Sequence, residues 1–230
     1  MPDFKTYCAF ATGPKAEEEA EELLSALTTN VSSFYRERHH FEALSKTILP
    51  GLREKAERSG LRIWSAGCSS GQEPYTIAAT VRAAYADLHQ PNVTILATDV
   101  DPRILQKARA ATYRATEVAS LSSEQKDLLF APRNRNAESV TVRDELRRMV
   151  SFDRINLVGD WRQAPLFDII FCRNVVIYFE RSTQHRLWQR FRDSLAPRGN
   201  LFIGHSERLT GPAEESFRNI GITAFEKTAP

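Results

Sequence analysis

The chain has 230 residues, with 31 Lys and Arg against 29 Asp and Glu for a formal net charge of +2, and 42% hydrophobic residues. That is enough for one α/β domain with an appendage, and the balanced charge supplies no overall field for nucleic acid or an anionic membrane. No apolar run approaches the roughly 18 residues of a spanning helix, and Cys8, Cys68 and Cys172 form no CxxC pair, so three free thiols in a reducing cytoplasm are expected, with no membrane insertion.

In chain order, Thr12 and Pro14 cap and open a predicted helix over 15–27, whose glutamates read as a solvated face. The stretch 28–41, "TTNVSSFYRERHHF", begins with cap-forming residues and turns basic, which predicts a short helix around Arg36, Arg38, His39 and His40. A helical pattern continues to Gly60 with Pro50 as a kink or junction, making 1–58 a helical N-terminal region. From Leu61, short apolar runs alternate with longer amphipathic stretches: "LRIWSAG", "PYTIAATVRAAYADLH", "NVTILATDVD", "PRILQKARAA". This alternation predicts βαβ units and a parallel sheet covered on both faces over 59–230. Later strands are predicted in "MVSFDRINL", "FDIIFCRN", "GNLFIGHSE" and "ITAFEK", with a helix in "STQHRLWQRFRDSLAP" ended by Pro197 and Gly199. Within 121–148, "LSSEQKDLLF" reads as helix, and the charged remainder reads as a small inserted subdomain, about 131–149, with one or more short strands.

The turn "AGCSSGQEP" after the first strand admits two chemistries. Gly67, Ser69 and Gly71 match a hydrolase nucleophile elbow, and Ser69, Asp168 and His205 follow the Ser, Asp, His chain order. Asp168, however, begins its strand and belongs at the sheet edge opposite the carboxyl ends, and no HGGG-like oxyanion segment precedes Ser69. Alternatively, the glycines let backbone approach a ligand, and the following helix directs free N–H groups toward it. The spacing is neither GxGxxG nor a P-loop, which disfavours nucleotide phosphates. Glu73 beside the turn reads equally as a cation partner or a first-turn helix acid. Asp99 ends the second strand, where a carboxylate meets ribose hydroxyls, and Asp101 is positioned to cap the next helix. A phosphate-free cofactor carrying adenosine, an ammonium and a sulfonium suits this pair of acids: S-adenosylmethionine. Arg173 and Asn174 interrupt the apolar run "FDIIFCRNVVIYF", and a ligand would supply their partners.

Together the blocks "TTNVSSFYRERHHF", "RIWSAGCSSGQEPYTIA", "ILATDVDPRIL", "VSFDRINL", "FDIIFCRNVVIYF" and "LFIGHSERL" resemble the CheR family of chemotaxis receptor methyltransferases over about residues 28–227. The resemblance implies a Rossmann-like, class I S-adenosylmethionine-dependent methyltransferase sheet with a short N-terminal helical region. It implies transfer from S-adenosylmethionine to receptor glutamate carboxylates by direct displacement, leaving S-adenosylhomocysteine and requiring no metal. By it, Asn30, Ser32, Arg36, Ala66, Gly67, Glu73, Asp99, Asn156, Leu157, Arg173 and Asn174 are cofactor contacts. Ser32 stands where Thr is usual and keeps the hydroxyl. Arg36 and Tyr178 are expected nearest the transferred methyl, as the catalytic pair, while His39, His40 and His205 are assigned packing or hydrogen-bonding roles. The family's N-terminal helical domain is usually longer and carries a basic docking helix, whereas about thirty residues precede Asn30 here. In some members the small β-subdomain holds a pentapeptide at the receptor C-terminus, and 132–148 occupies its position. Implied partners are the helical cytoplasmic domain of a chemoreceptor and its C-terminal peptide. The alternatives are a methyltransferase with another acceptor and a cofactor-binding signalling module. A nucleic-acid methyltransferase lacks support, since no Asn-Pro-Pro-Tyr type motif for a flipped base is present.

Overall fold

The computed structural model describes residues 3, 6–8, 13, 16–28, 30–132, 137–161 and 165–228. Thr12 and Pro14, where the first helix was expected to be capped, and 133–136 of the expected insert lie outside the described residues.

Helix α1 (Ala16–Leu27) is followed by a non-helical stretch through 30–37. Helices α2 (Arg38–Ala43), α3 (Leu49–Gly51) and α4 (Arg53–Arg58) then run nearly end to end, joined by a wider helical turn over Leu44–Ile48. The basic stretch therefore begins its helix at Arg38, and Arg36 stands in the turn before it, its N–H donating to the Ser33 carbonyl at 3.3 Å. Left-handed backbone at Tyr35 (φ 53°) and Glu37 (φ 56°) interrupts helical propagation here.

The large sheet contains β1 (Leu61–Ala66), β2 (Val93–Asp99), β5 (Val150–Arg154), β6 (Phe167–Cys172), β7 (Leu195–Ile203), β8 (Phe217–Gly221) and β9 (Ala224–Lys227), in the order β5-β2-β1-β6-β7-β9-β8. From β5 to β7 all pairs are parallel, and β9 runs antiparallel to both of its neighbours. Helices α5 (Gln72–Ala84), α6 (Pro102–Ala110) and α9 (Arg181–Ser194) lie in the connections. Strand β7 starts at Leu195, immediately after α9, so Pro197 and Gly199 sit within the strand rather than after the helix; the register shift opposite Phe167 and Ile169 absorbs them.

Alternation along the strands builds two cores. Ile63, Ile95, Ile169, Phe171 and Phe202 face α2 through α5, whereas Trp64, Ala66, Ile170, Cys172, Leu201 and Ile203 face Trp188 and Phe191 of α9. Because both faces are covered, the inner strands carry consecutive apolar residues, such as IIFC at 169–172 and LFI at 201–203, rather than strict alternation. A second, two-stranded sheet pairs β3 (Thr112–Arg114) with β4 (Ser139–Thr141), flanked by α7 (Ser123–Leu129) and α8 (Asp144–Arg147). Val140, Val142 and Leu146 join the first core, so this small sheet is packed onto the domain, and its first strand precedes the predicted insert.

Candidate active site

The carboxyl ends of β1, β2 and β6 surround a cavity of about 410 Å³. This is the edge at which open α/β sheets bind ligands, since the connections diverge there.

Strand β1 ends in a turn shaped by backbone requirements. Gly67 adopts φ +82°, and a Cβ there would stand 2.4 Å from Val175 Cγ2. The N–H groups of Gly67 and Cys68 donate to the Thr98 carbonyl at 2.8 and 2.9 Å, and the Ser69 N–H donates to Asp99 Oδ2 at 2.8 Å. Gly71, with φ +93°, precedes α5. The Ser69 hydroxyl oxygen is buried without a hydrogen-bond partner.

Asp99 is 8% exposed, and its other oxygen accepts the Asp101 N–H at 3.1 Å. Burial raises its pKa, while the backbone N–H groups of Asp101, Ser69 and Val100 oppose the rise. Asp101 caps α6, with Oδ1 accepting from Arg103 N at 2.9 Å and Ile104 N at 3.3 Å. Its Oδ2 accepts from Asn30 Nδ2 at 3.0 Å, so the cap also anchors the N-terminal segment over the cavity.

Glu73, in the first turn of α5, accepts the Ser65 hydroxyl at 2.6 Å and Arg173 Nη1 at 3.1 Å. Burial raises its pKa, and Arg173 and Ser65 act against this. Arg173 leaves the end of β6 with its side chain 2% exposed, meets Glu37 at 3.3 Å and donates to the Arg36 carbonyl. Glu37 also receives His205 Nδ1 at 3.1 Å and Asn174 Nδ2 at 3.4 Å. Burial of Glu37 opposes ionisation, but Arg173 and the His205 hydrogen bonds outweigh it and hold the carboxyl at about 2. With His39 and His40, Glu37 forms a set of metal-donor atoms within 4.8 Å of one another. Arg173 already occupies the Glu37 carboxylate, at 3.3 Å.

The loop from Asn174 is held by Glu207. Its carboxylate accepts the N–H groups of Asn174, Val175, Val176 and Gly204 at 3.1, 2.9, 2.8 and 2.5 Å. Across the cavity, the Leu157 carbonyl receives Trp161 Nε1 at 3.2 Å and Arg190 Nη1 at 3.3 Å; Arg190 also reaches the Gly159 carbonyl at 2.7 Å and lies over the Trp161 ring at 3.9 Å.

Asn30, Ser32, Arg36, Gly67, Glu73, Asp99, Asn156, Leu157, Arg173, Asn174 and Tyr178 all line the cavity. Ala66 does not: it is fully buried in the second core, and the turn it leads into does the lining. The hydrolase constellation is dispersed. Asp168 is bound to Lys55 and to the Arg62 N–H at the start of its strand, and His205 is bound to Glu37 and Ser206. Glu37, Asp101, Glu207 and Arg190 organise the site but were not singled out as site residues from sequence, apart from the capping role of Asp101. Each acts on backbone or on another side chain, and only the acid in the "GHSE" block next to a strand end hinted at such a function.

The strand order, with an antiparallel strand inserted beyond a parallel set, and the cavity at the carboxyl edge make this a Rossmann-like, class I S-adenosylmethionine-dependent methyltransferase sheet. Residues 30–225 match the family model "CheR methyltransferase, SAM binding domain". The chain is 42% identical over 230 residues to a probable chemotaxis protein methyltransferase of Rhizobium etli, covering 99% of this chain and 86% of that one. It is 38% identical over 232 residues to a chemotaxis protein methyltransferase of Salmonella typhimurium, covering 99% and 77%. A solved S-adenosylmethionine dependent methyltransferase from Mesorhizobium loti aligns with 71% of this chain and 54% of that one, at 20% identity and a TM-score of 0.37. The chain belongs to the CheR methyltransferase family.

The cavity's chemistry fits the cofactor of that family. A glycine with no room for a Cβ gives backbone access, and two inward acids, Glu73 and Asp99, suit an ammonium and a ribose rather than phosphates. Among the described residues, no helix is long and apolar enough to cross a membrane.

Proposed function

We propose that this protein methylates glutamate side-chain carboxylates on the helical cytoplasmic domain of a chemoreceptor, producing methyl esters in the cytoplasm. The observation that carries this reading is the meeting of Arg36 and Tyr178 with Gly67, Glu73 and Asp99 in one cavity. Glu73 would hold the ammonium of S-adenosylmethionine and Asp99 its ribose, with Asn156 and Leu157 on the adenine side. When bound, the cofactor supplies an electrophilic methyl group on a sulfonium.

A glutamate with an ordinary pKa of about 4.3 is ionised at neutral pH, so no enzyme base is needed and the chain's task is alignment and desolvation. Arg36 is placed for the first. One guanidinium nitrogen donates to the Val31 carbonyl at 3.0 Å, which sets the side chain's direction and leaves other N–H groups for an incoming carboxylate. Tyr178 stands on a short helical turn, Val176–Tyr178, with 62% of its surface exposed at the cavity, where its hydroxyl can orient the acceptor from solution. Weak pairing suits both residues, because a tightly paired carboxylate would be a poorer nucleophile. With the cofactor bound, Arg36 would hold one oxygen of the acceptor carboxylate and leave the other free to bond the sulfonium methyl as its bond to sulfur breaks, with S-adenosylhomocysteine leaving. In this reading a receptor's C-terminal peptide would add as a strand to the inserted subdomain, of which β4 is the described strand.

The test is incubation of the pure protein with methyl-labelled S-adenosylmethionine and chemoreceptor-containing membranes from the same cell. Label on the receptor that mild base releases as methanol, and that Arg36→Ala abolishes while retaining cofactor binding, is the expected outcome. Base-stable label would overturn the ester, and cofactor binding without any receptor label would overturn the acceptor. Equal loss of turnover and cofactor affinity in Arg36→Ala would make Arg36 a cofactor ligand instead.

A further inference from the structure

We propose that Glu37 is a positioning residue whose charge keeps Glu73 available to a cationic ligand group, by taking a share of the Arg173 guanidinium that Glu73 would otherwise hold alone. This rests on the reading of Glu73 as the partner of the cofactor ammonium.

Arg173 is almost fully buried, and its charge requires compensation from the protein. Two carboxylates provide it through different nitrogens, Glu73 on Nη1 at 3.1 Å and Glu37 on Nη2 at 3.3 Å, with the Arg36 carbonyl and the Phe41 ring alongside. One guanidinium between two carboxylates leaves the cluster one negative charge in excess. Glu73 lines the cavity and Glu37 does not, so an ammonium entering beside Glu73 brings the cluster to neutrality. Without the Glu37 charge, Arg173 and Glu73 would balance each other, and the same ammonium would leave an uncompensated positive charge in a poorly solvated site.

The other groups around Glu37 do not supply that balance. His40 is buried and held neutral, with its Nε2 directed at the Ile222 carbonyl at 3.1 Å. His205 approaches the other Glu37 oxygen but is 65% exposed, so water screens it. The backbone reports the same constraint. Glu37 is left-handed at φ 56°, a conformation that costs a non-glycine residue and persists where surrounding contacts over-determine it. Here Arg173, Asn174 and His205 provide those contacts.

The experiment measures, by calorimetry, binding of S-adenosylhomocysteine and of its desamino analogue S-(5′-adenosyl)-4-mercaptobutanoate, which keeps the nucleoside, thioether and carboxylate but lacks the ammonium. Glu37→Gln, which preserves size and hydrogen bonding, should weaken S-adenosylhomocysteine about tenfold. It should leave the desamino analogue within twofold or tighten it. Glu37→Asp should recover part of the loss. Equal weakening of both ligands would reduce Glu37 to a structural prop, and no change in either would remove it from the site's electrostatics; both results overturn the inference while the cofactor reading stands. Wild-type protein that fails to bind S-adenosylhomocysteine would overturn the cofactor reading itself and this inference with it.

Discussion

The Ser69 backbone N–H points at Asp99 Oδ2, 2.8 Å away, so the acid ending one strand shapes the turn ending its neighbour. Asp99 therefore serves the turn and the cavity at once. Asp99→Asn keeps the volume but loses a charged acceptor, a change of about 1.5–3 kcal/mol where the hydrogen bond is to an ionised group. Adenosine binding should fall by about tenfold or more, read by calorimetry. Asp101→Ala, which removes a helix cap, should lower stability by about 0.5–2 kcal/mol in urea denaturation with a smaller loss of affinity.

Gly67 tests the requirement for backbone approach. A Cβ would meet Val175 Cγ2 at 2.4 Å, and the φ of +82° disfavours any L side chain. Gly67→Ala should lower the unfolding midpoint and abolish measurable cofactor binding. Adding Val175→Ala should restore part of the stability by relieving the clash, but not all, because the dihedral penalty remains. Full recovery in the double variant would show that the clash alone excludes a side chain.

On the opposite wall, Arg190 stacks on Trp161 and holds the carbonyls of Leu157 and Gly159. Arg190→Ala removes a cation–π contact worth about 0.5–2 kcal/mol as well as these hydrogen bonds. Cofactor affinity should fall several-fold and tryptophan fluorescence should shift to the red as Trp161 meets water. Unchanged emission with normal affinity would remove Arg190 from the support of this wall.

Acid should destabilise the fold through two neighbours. Burial, followed by Arg173 and His39, lowers the His40 pKa from 6.5 to about 3, with Glu37 opposing. The unfolded chain thus binds the His40 proton first, and stability falls as pH drops from about 6.5 toward 3. Glu37, lowered from 4.5 to about 2 against the effect of burial, contributes stability above about pH 4.5 that is lost as pH falls through 2. Urea midpoints at pH 7.5, 5.5 and 4.5 should decline in the wild type. In His40→Gln the decline between pH 7.5 and 4.5 should flatten; an unchanged slope would place the acid sensitivity elsewhere.

From the sequence alone, the alternation after Leu61 determined the parallel sheet, because strands buried on both faces carry short runs of consecutive apolar residues and their connecting helices are amphipathic. The glycine turn, Glu73, Asp99 and the Arg173 and Asn174 interruption were legible for the complementary reason. Special backbone angles and polar groups inside apolar runs are local departures that a one-dimensional pattern displays. The non-helical stretch 30–37, the start of β7 at Leu195, and strands β3 and β8 were not legible, since each depends on pairing or packing with distant residues. The same reason hid Glu37 and Glu207. In the chain they are single acids among charged neighbours, and only folding brings Arg173 to one and the N–H groups of Asn174, Val175, Val176 and Gly204 to the other. Tertiary structure thus decided the charge balance of the site, because electrostatic energy depends on separation and burial in space rather than on position along the chain.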